Sequence, residues 1–225
     1  MDAGLPRREE YNMKNAKCKI CRRLGIKLFL KGEKCLSSKC SMIKKAYPPG
    51  QKGKRRSKPL SEYGKELREK QKLRNWYNLE EKQFQKYVRS ALAKRKKTED
   101  AGTLLIKTLE SRLDNVVFRL GFVSSRSEAK LLISHRHFLV NDKTVNISSF
   151  LVKKGDKIKI RPVSAKKNFF QNLPATLKKT KVPSWLELNT QVLTKRLEGK
   201  VIGMPTLEEV APPVEISSIF EYYSR

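Results

Sequence analysis

The sequence is poor in acid, in histidine and in cysteine, and it has no long apolar run. Only 22 of its 225 residues are Asp or Glu, against 51 Lys and Arg, so the formal net charge is +29. That is far beyond what solubility needs, and a field of one sign implies a polyanionic partner. No apolar stretch approaches the roughly 20 residues of a spanning helix, and no helical pattern sets its charge against a lipid-facing stripe. A membrane partner is therefore not expected, and nucleic acid is. The two histidines, His135 and His137, lie two apart with no nucleophile pattern beside them, so neither a catalytic constellation nor a small-molecule substrate is expected. MDAGLPRREE at the start contains acids and no apolar h-region. The expectation is no secretory signal and no typical transit peptide, hence a cytoplasmic protein.

The four cysteines all fall in one short segment, as Cys18-x2-Cys21-x13-Cys35-x4-Cys40. Two close pairs around a loop match a tetrahedral site of four thiolates, each pair forming a knuckle. One structural zinc ion is the expectation, with an iron–sulfur cluster as the chemical rival. Disulfides are disfavoured without a secretion signal, and four thiolates leave no open position for a catalytic water. An apolar fraction of 38% predicts two modest cores rather than one large one. Residues 1–60 carry 18 basic and 4 acidic side chains, about half the excess positive charge. That part should lie against the polyanion, whereas residues 164–225, with 9 basic and 6 acidic, should face protein or solvent.

Residues 111–161 hold the clearest pattern. Leu113, Val116, Val117 and Leu120 make one helical stripe, ended by Gly121. Ser125 with Glu128 reads as a capping box opening a second helix, with Ala129, Leu132 and Ile133 inward. The period then changes to two: Phe138 to Val140, a turn at Asn141-Asp142-Lys143, Val145, and Lys157-Ile158-Lys159-Ile160 after Gly155-Asp156. Basic residues line the polar sides, and the second helix's N-terminus beside Arg126 and Lys130 suits a phosphate.

The wording SRLDNV, RLGF, the Ser-Arg at the second helix start, H-x-H and VN resembles the S-four RNA-binding domain, and it is closest to the small-subunit ribosomal S-four family. Arg136 departs from that family, which usually has Gly between the two histidines. The cysteine spacing is similar to the family's zinc-bearing variety, and YPPGQ-x-G at residues 47–53 is also similar. The resemblance implies a non-catalytic constituent of a small ribosomal subunit, bacterial-type or organellar. It implies direct binding to a helix junction in the 5′ domain of small-subunit rRNA, nucleation of that domain's assembly, contacts to proteins S-five and S-three, and a place beside mRNA where it enters, with a bearing on translational accuracy. RNA-modifying enzymes, tyrosyl synthetases and stress RNA binders share the module, but no second catalytic domain fits in the basic remainder.

Around the module, residues 46–59 read as an extended basic linker, Ser61 as the cap of a helix, and residues 80–94 as another helix with Phe84, Tyr87, Val88 and Ala91 or Leu92 on one face. Trp76, Tyr77, Phe84 and Tyr87 at helical spacing read as core more than as base-stacking residues. Thr103 to Leu109 should be a short helix, and WLELN, VLTKRL and KVIGMP short strands. The expected fold class is α+β: a mostly helical domain over residues 1–100 and 162–225 with the zinc knuckle at 18–40, and an inserted module over 101–161, two helices on a small antiparallel sheet. The family resemblance implies that the tail returns to the first domain. Candidate RNA contacts are Arg22, Arg23, Lys44, Lys45, Lys52, Lys54, Arg55 and Arg56 in the N-terminal part, Arg68 and Lys72 on the next helix, and Arg112, Arg119, Arg126, Lys130, Arg136, His137 and Lys143 in the module.

Overall fold

The computed structural model of the chain describes residues 17–50, 53, 59–94, 100–171, 173, 177, 181–191 and 196–224. Lys52, Lys54, Arg55 and Arg56 lie outside the described residues. The chain divides into two units, Met1–Leu79 with Val214–Arg225, and Glu80–Pro213.

In the first unit, helix α1 (residues 17–24) leads through a turn at Gly25 to the one-turn helices α2 (Glu33–Leu36) and α3 (Ser41–Lys44). Cys21, Leu24, Leu28 and Leu30 form a small core there, with Ile20, Ile26, Met42 and Trp76 packed against it. Ser61 caps α4 (Glu62–Trp76), its side chain accepting from Gly64 N at 3.2 Å, which supplies a partner for one of the free donors of the first turn. The last helix of the chain, Ile216–Ser224, buries Ile219 and packs on α4. The Lys70 ammonium of α4 is buried and sits 4.3 Å from the ring centroid of Tyr222. Its charge is thus met in part by the π face.

In the second unit, α5 (Glu81–Lys94) buries Phe84, Val88 and Ala91, and α6 (Ala101–Glu110) starts at Asp100, whose carboxylate accepts from Gly102 N. α7 (Leu113–Arg119) and α8 (Arg126–Ser134) follow the predicted stripes: Leu113, Val116, Val117, Leu120, Ala129 and Ile133 are fully buried. Gly121 at φ 79 closes α7, its N–H bonded to Phe118 O and the next N–H, of Phe122, reaching Val117 O. A left-handed residue is needed to turn those donors back, and Gly takes it without strain.

The strands β1 (Phe138–Val140), β2 (Lys143–Thr144), β3 (Lys157–Ile160), β4 (Leu186–Gln191) and β5 (Arg196–Val201) form one antiparallel sheet in the order β2-β1-β3-β5-β4. Between β3 and β4 lie the short helices α9 (Pro162–Ala165) and α10 (Asn168–Gln171), and after β5 comes α11 (Leu207–Val210). Trp185, Leu186 and Val201 join Phe138, Ile158 and the α7–α8 side chains in a single cluster.

One feature differs from expectation. Among the described residues the sheet has five strands, because β5 pairs with β3 (Ile158 opposite Gly199) and its inner residues extend the module's own core. The compact units divide after Leu79 and Pro213, beside the sequence reading of a module over 101–161. α5 belongs with the sheet-bearing unit, and only the chain from Val214 onward belongs with the first.

β5 approaches α7 so closely at Gly199 that a Cβ there would lie 2.7 Å from Leu120 Cδ2, and Leu120 is itself fully buried. Gly199→Ala should therefore destabilise the protein by roughly 1–3 kcal/mol through overpacking. Urea titration followed by far-UV circular dichroism checks this. An unchanged midpoint would show that β5 can move away from α7 at no cost.

Candidate nucleic-acid interface

The basic residues of the module serve two distinct ends, and burial separates them. Arg112 is 1% exposed. Its Nε and Nη2 donate to the two oxygens of Asp114 at 3.1 and 2.7 Å, and Nη1 donates to Tyr87 Oη at 2.6 Å. Burial opposes its charge, but the Asp114 carboxylate and the Tyr87 hydroxyl outweigh that and hold the guanidinium above its ordinary pKa. Arg119 makes a second bidentate pair with the fully buried Glu110, at 3.0 and 2.8 Å. Asn115 joins this pair to α8: its Nδ2 donates to Glu110 at 2.5 Å and its Oδ1 accepts from Arg126 Nε at 2.8 Å. The Arg126 guanidinium lies over the Phe118 ring at 4.5 Å. Arg112 and Arg126, expected on the RNA-facing side, are thus interior ties, Arg112 between α5 and α7 and Arg126 between α7 and α8. Lys130 is half-buried, and burial pushes its ammonium below the ordinary value.

The N-terminus of α8 is also occupied from within. Ser125 Oγ accepts from Glu128 N, while Glu128 Oε2 accepts from Ser124 N and Ser124 Oγ at 2.9 and 2.7 Å. This is the expected capping box with its return bond displaced by one residue. A carboxylate already sits where a phosphate was anticipated, so that helix start does not offer an open anion site. Arg136 and Lys143 are exposed as expected, whereas His137 is buried, its Nδ1 2.8 Å from Ser164 Oγ. Arg161, Lys166 and Lys167, absent from the sequence-derived set, are exposed, and Arg161 N donates to His137 O at 2.9 Å. Their adjacency to the basic module was the available signal.

In the first unit Cys21, Cys35 and Cys40 are buried, Cys18 half-buried, and all four are free thiols lining one pocket with Lys17, Lys27 and Lys31. Burial first, and the neighbouring thiols of Cys35, Cys18 and Cys40 as well, push the Cys21 thiol up. Lys31 N donates to Cys35 Sγ at 3.4 Å. Among the described residues no three Cys, His, Asp or Glu side chains are set as a closed metal cage. The thiols converge on a single cavity without being drawn together in it.

Arg22 grips the start of the Pro-Gly segment, its Nε donating to Tyr47 O at 2.9 Å with the guanidinium 5.0 Å from the Tyr47 ring centroid. Arg68 reaches the Arg23 carbonyl at 3.4 Å and Lys72 pairs with Glu69, so both are half-engaged. Arg23, Lys44 and Lys45 are exposed. Trp76, Tyr77 and Phe84 pack into cores, and Tyr87 holds Arg112. No helix among the described residues is long and apolar enough to cross a membrane.

Residues 12–110 match the family model of the ribosomal protein S4/S9 N-terminal domain, and residues 111–158 that of the S4 domain. Over 208 residues the chain is 48% identical to the small ribosomal subunit protein uS4 of Caldicellulosiruptor saccharolyticus, spanning 92% of this chain and 96% of that one. It is 45% identical over 212 residues to the uS4 of Syntrophus aciditrophicus, spanning 94% and 98%. The helix pair on its sheet, the basic surface and these matches define an S4-domain protein. The chain belongs to the uS4 family of small ribosomal subunit proteins, which are structural proteins rather than enzymes.

The two kinds of basic residue should respond differently to substitution. Asp114→Asn leaves Arg112 as an uncompensated buried charge and should cost on the order of 3–5 kcal/mol. Lys143→Ala, at the surface, should stay within about 0.5 kcal/mol. Parallel denaturant melts decide, and equal small effects would mean that the Arg112 site admits water.

Proposed function

We propose that this chain binds small-subunit rRNA directly, through phosphate contacts made by its exposed cations, as a structural constituent of the small ribosomal subunit. The observation that carries the reading is the charge of +29 on a chain 48% identical to a uS4 protein. Arg23, Lys44, Lys45, Arg136 and Lys143 are the described, solvent-facing members of the candidate set. The finer roles follow from the family resemblance: recognition of a helix junction in the rRNA 5′ domain, nucleation of that domain's assembly, contacts to S-five and S-three, and a position where mRNA enters that bears on accuracy.

Affinity built on phosphate contacts must fall with salt, because each neutralised phosphate releases condensed counterions. If about six to ten phosphates are engaged, affinity for a 5′-domain rRNA transcript should drop roughly 10³- to 10⁵-fold between 50 and 200 mM salt. Filter binding over that range tests it. A flat dependence would overturn the reading.

Cys18, Cys21, Cys35 and Cys40 would hold one structural zinc ion as thiolates. The donor set fits: four thiols share a cavity, and a divalent cation there would offset the burial, and after it the neighbouring thiols, that raise the Cys21 thiol. Zinc supplies cross-linking, not chemistry, at four thiolates. Its neighbourhood has few apolar side chains, so the segment's order should depend on it. Elemental analysis should find one zinc per chain, and chelation under reducing conditions should raise hydrogen exchange over residues 17–45 while Glu80–Pro213 stays protected. Protection of residues 17–45 that survives complete metal removal would show the cysteines to be packing residues. Iron in place of zinc would favour the cluster.

A further inference from the structure

β1 enters the sheet through His135, Arg136 and His137, and β3 leaves it through Arg161 into α9 and α10. Arg161 N donates to His137 O at 2.9 Å, so these two junctions lie side by side. The buried His137–Ser164 pair pins them, with Phe170 edge-on to the imidazole at 6.2 Å. Around that anchor Arg136, Arg161, Lys166 and Lys167 are exposed. Burial first, then the positive charge of Lys167, His135 and Arg161, holds His137 below its ordinary pKa. Each charge acting on the imidazole has the same sign. Arg136 stands at φ 58, a backbone conformation strained for any residue with a Cβ. Two residues after Lys167, the Phe169 side chain is 62% exposed, a large ring left in water.

Cations interleaved with an open aromatic face are the chemistry that takes nucleotides with splayed bases, because a base inside a duplex hides both faces in its stack. A protein covering Phe169 would also have to neutralise four cations, whereas a polyanion gains by releasing counterions there. We propose that Arg136, Arg161, Lys166, Lys167 and Phe169 form a second RNA contact that takes an unpaired nucleotide, with phosphates on the cations and the base stacked on the Phe169 ring. The proposal rests on the rRNA-binding reading and extends it to a segment whose charge had suggested protein or solvent.

The test uses the full chain and the same 5′-domain rRNA transcript. The double variant Arg161→Ala, Lys167→Ala should lose about tenfold in affinity and make the salt slope shallower by about two. Phe169→Ala should lose at least about fivefold with the slope unchanged, since stacking releases no counterions. Arg136→Gly should weaken binding without lowering the melting temperature, because it removes strain together with charge. Photocrosslinking with 4-thiouridine in the transcript should give an adduct within residues 161–171. Lys153→Ala with Lys154→Ala, at an exposed turn of the same unit, removes the same charge elsewhere. If that control loses as much as the Arg161–Lys167 pair, or if Phe169→Ala binds normally and no adduct forms there, the proposal is overturned and the face is left for a protein neighbour. A wild-type chain that does not bind the transcript overturns the functional reading itself, and this face with it.

Discussion

Two bidentate ion pairs, the buried Arg112 with Asp114 and the half-buried Arg119 with the buried Glu110, set the geometry on which the sheet-bearing unit depends. Taking such charges out of water costs several kcal/mol per ion, and only well-made geometry with additional hydrogen bonds offsets it. Both conditions are met here. Tyr87 adds a bond to Arg112, and Asn115 reads Glu110 on one side and Arg126 on the other. Because a shifted helix would strand one of these groups, the network admits one arrangement of α6, α7 and α8 far better than its neighbours. The apolar stripes alone would tolerate several, since hydrophobic burial is not directional.

That arrangement decides which cations remain for a partner. Arginines at the helix junctions are consumed in holding the helices, and those at the strand junctions are left in water. The consequence is a division of labour within one basic sequence: interior guanidiniums confer shape, and Arg136, Lys143 and the Arg161–Lys167 run confer potential. Only the latter can release counterions on meeting RNA. The wide sheet serves the same end, because β5 and β4 cover the flank of β3 that a three-stranded module would leave as an open edge.

The cysteine-bearing unit is built on a different balance. Its core around Leu24, Leu28 and Leu30 is small, and short one-turn helices contribute little cooperative stability of their own. Arg22, clamped onto Tyr47 and the Pro48 carbonyl, shows a basic side chain again used to shape the backbone that carries other basic side chains.

Periodicity made the helices α7 and α8, the strands β1 and β3, the Ser61 and Ser125 caps and the Gly121 stop legible, since each is a local matter of spacing and backbone preference. Net charge and cysteine spacing pointed to a polyanion and to a zinc site of four thiolates on the same local grounds. The candidate contacts were legible only in part. An arginine one residue before a helix looks the same whether it meets RNA or, like Arg112, a carboxylate two positions on, and nothing local shows that Arg126 meets Asn115 eleven residues back, so the burial of both and Tyr87's role were not visible. The β3–β5 pairing joins residues some forty apart across a segment without periodicity. Local propensity thus determined what the elements are and how much charge they carry. Long-range pairing decided which strands share a core and which charges reach water, because burial is a property of neighbours that the chain acquires only when folded.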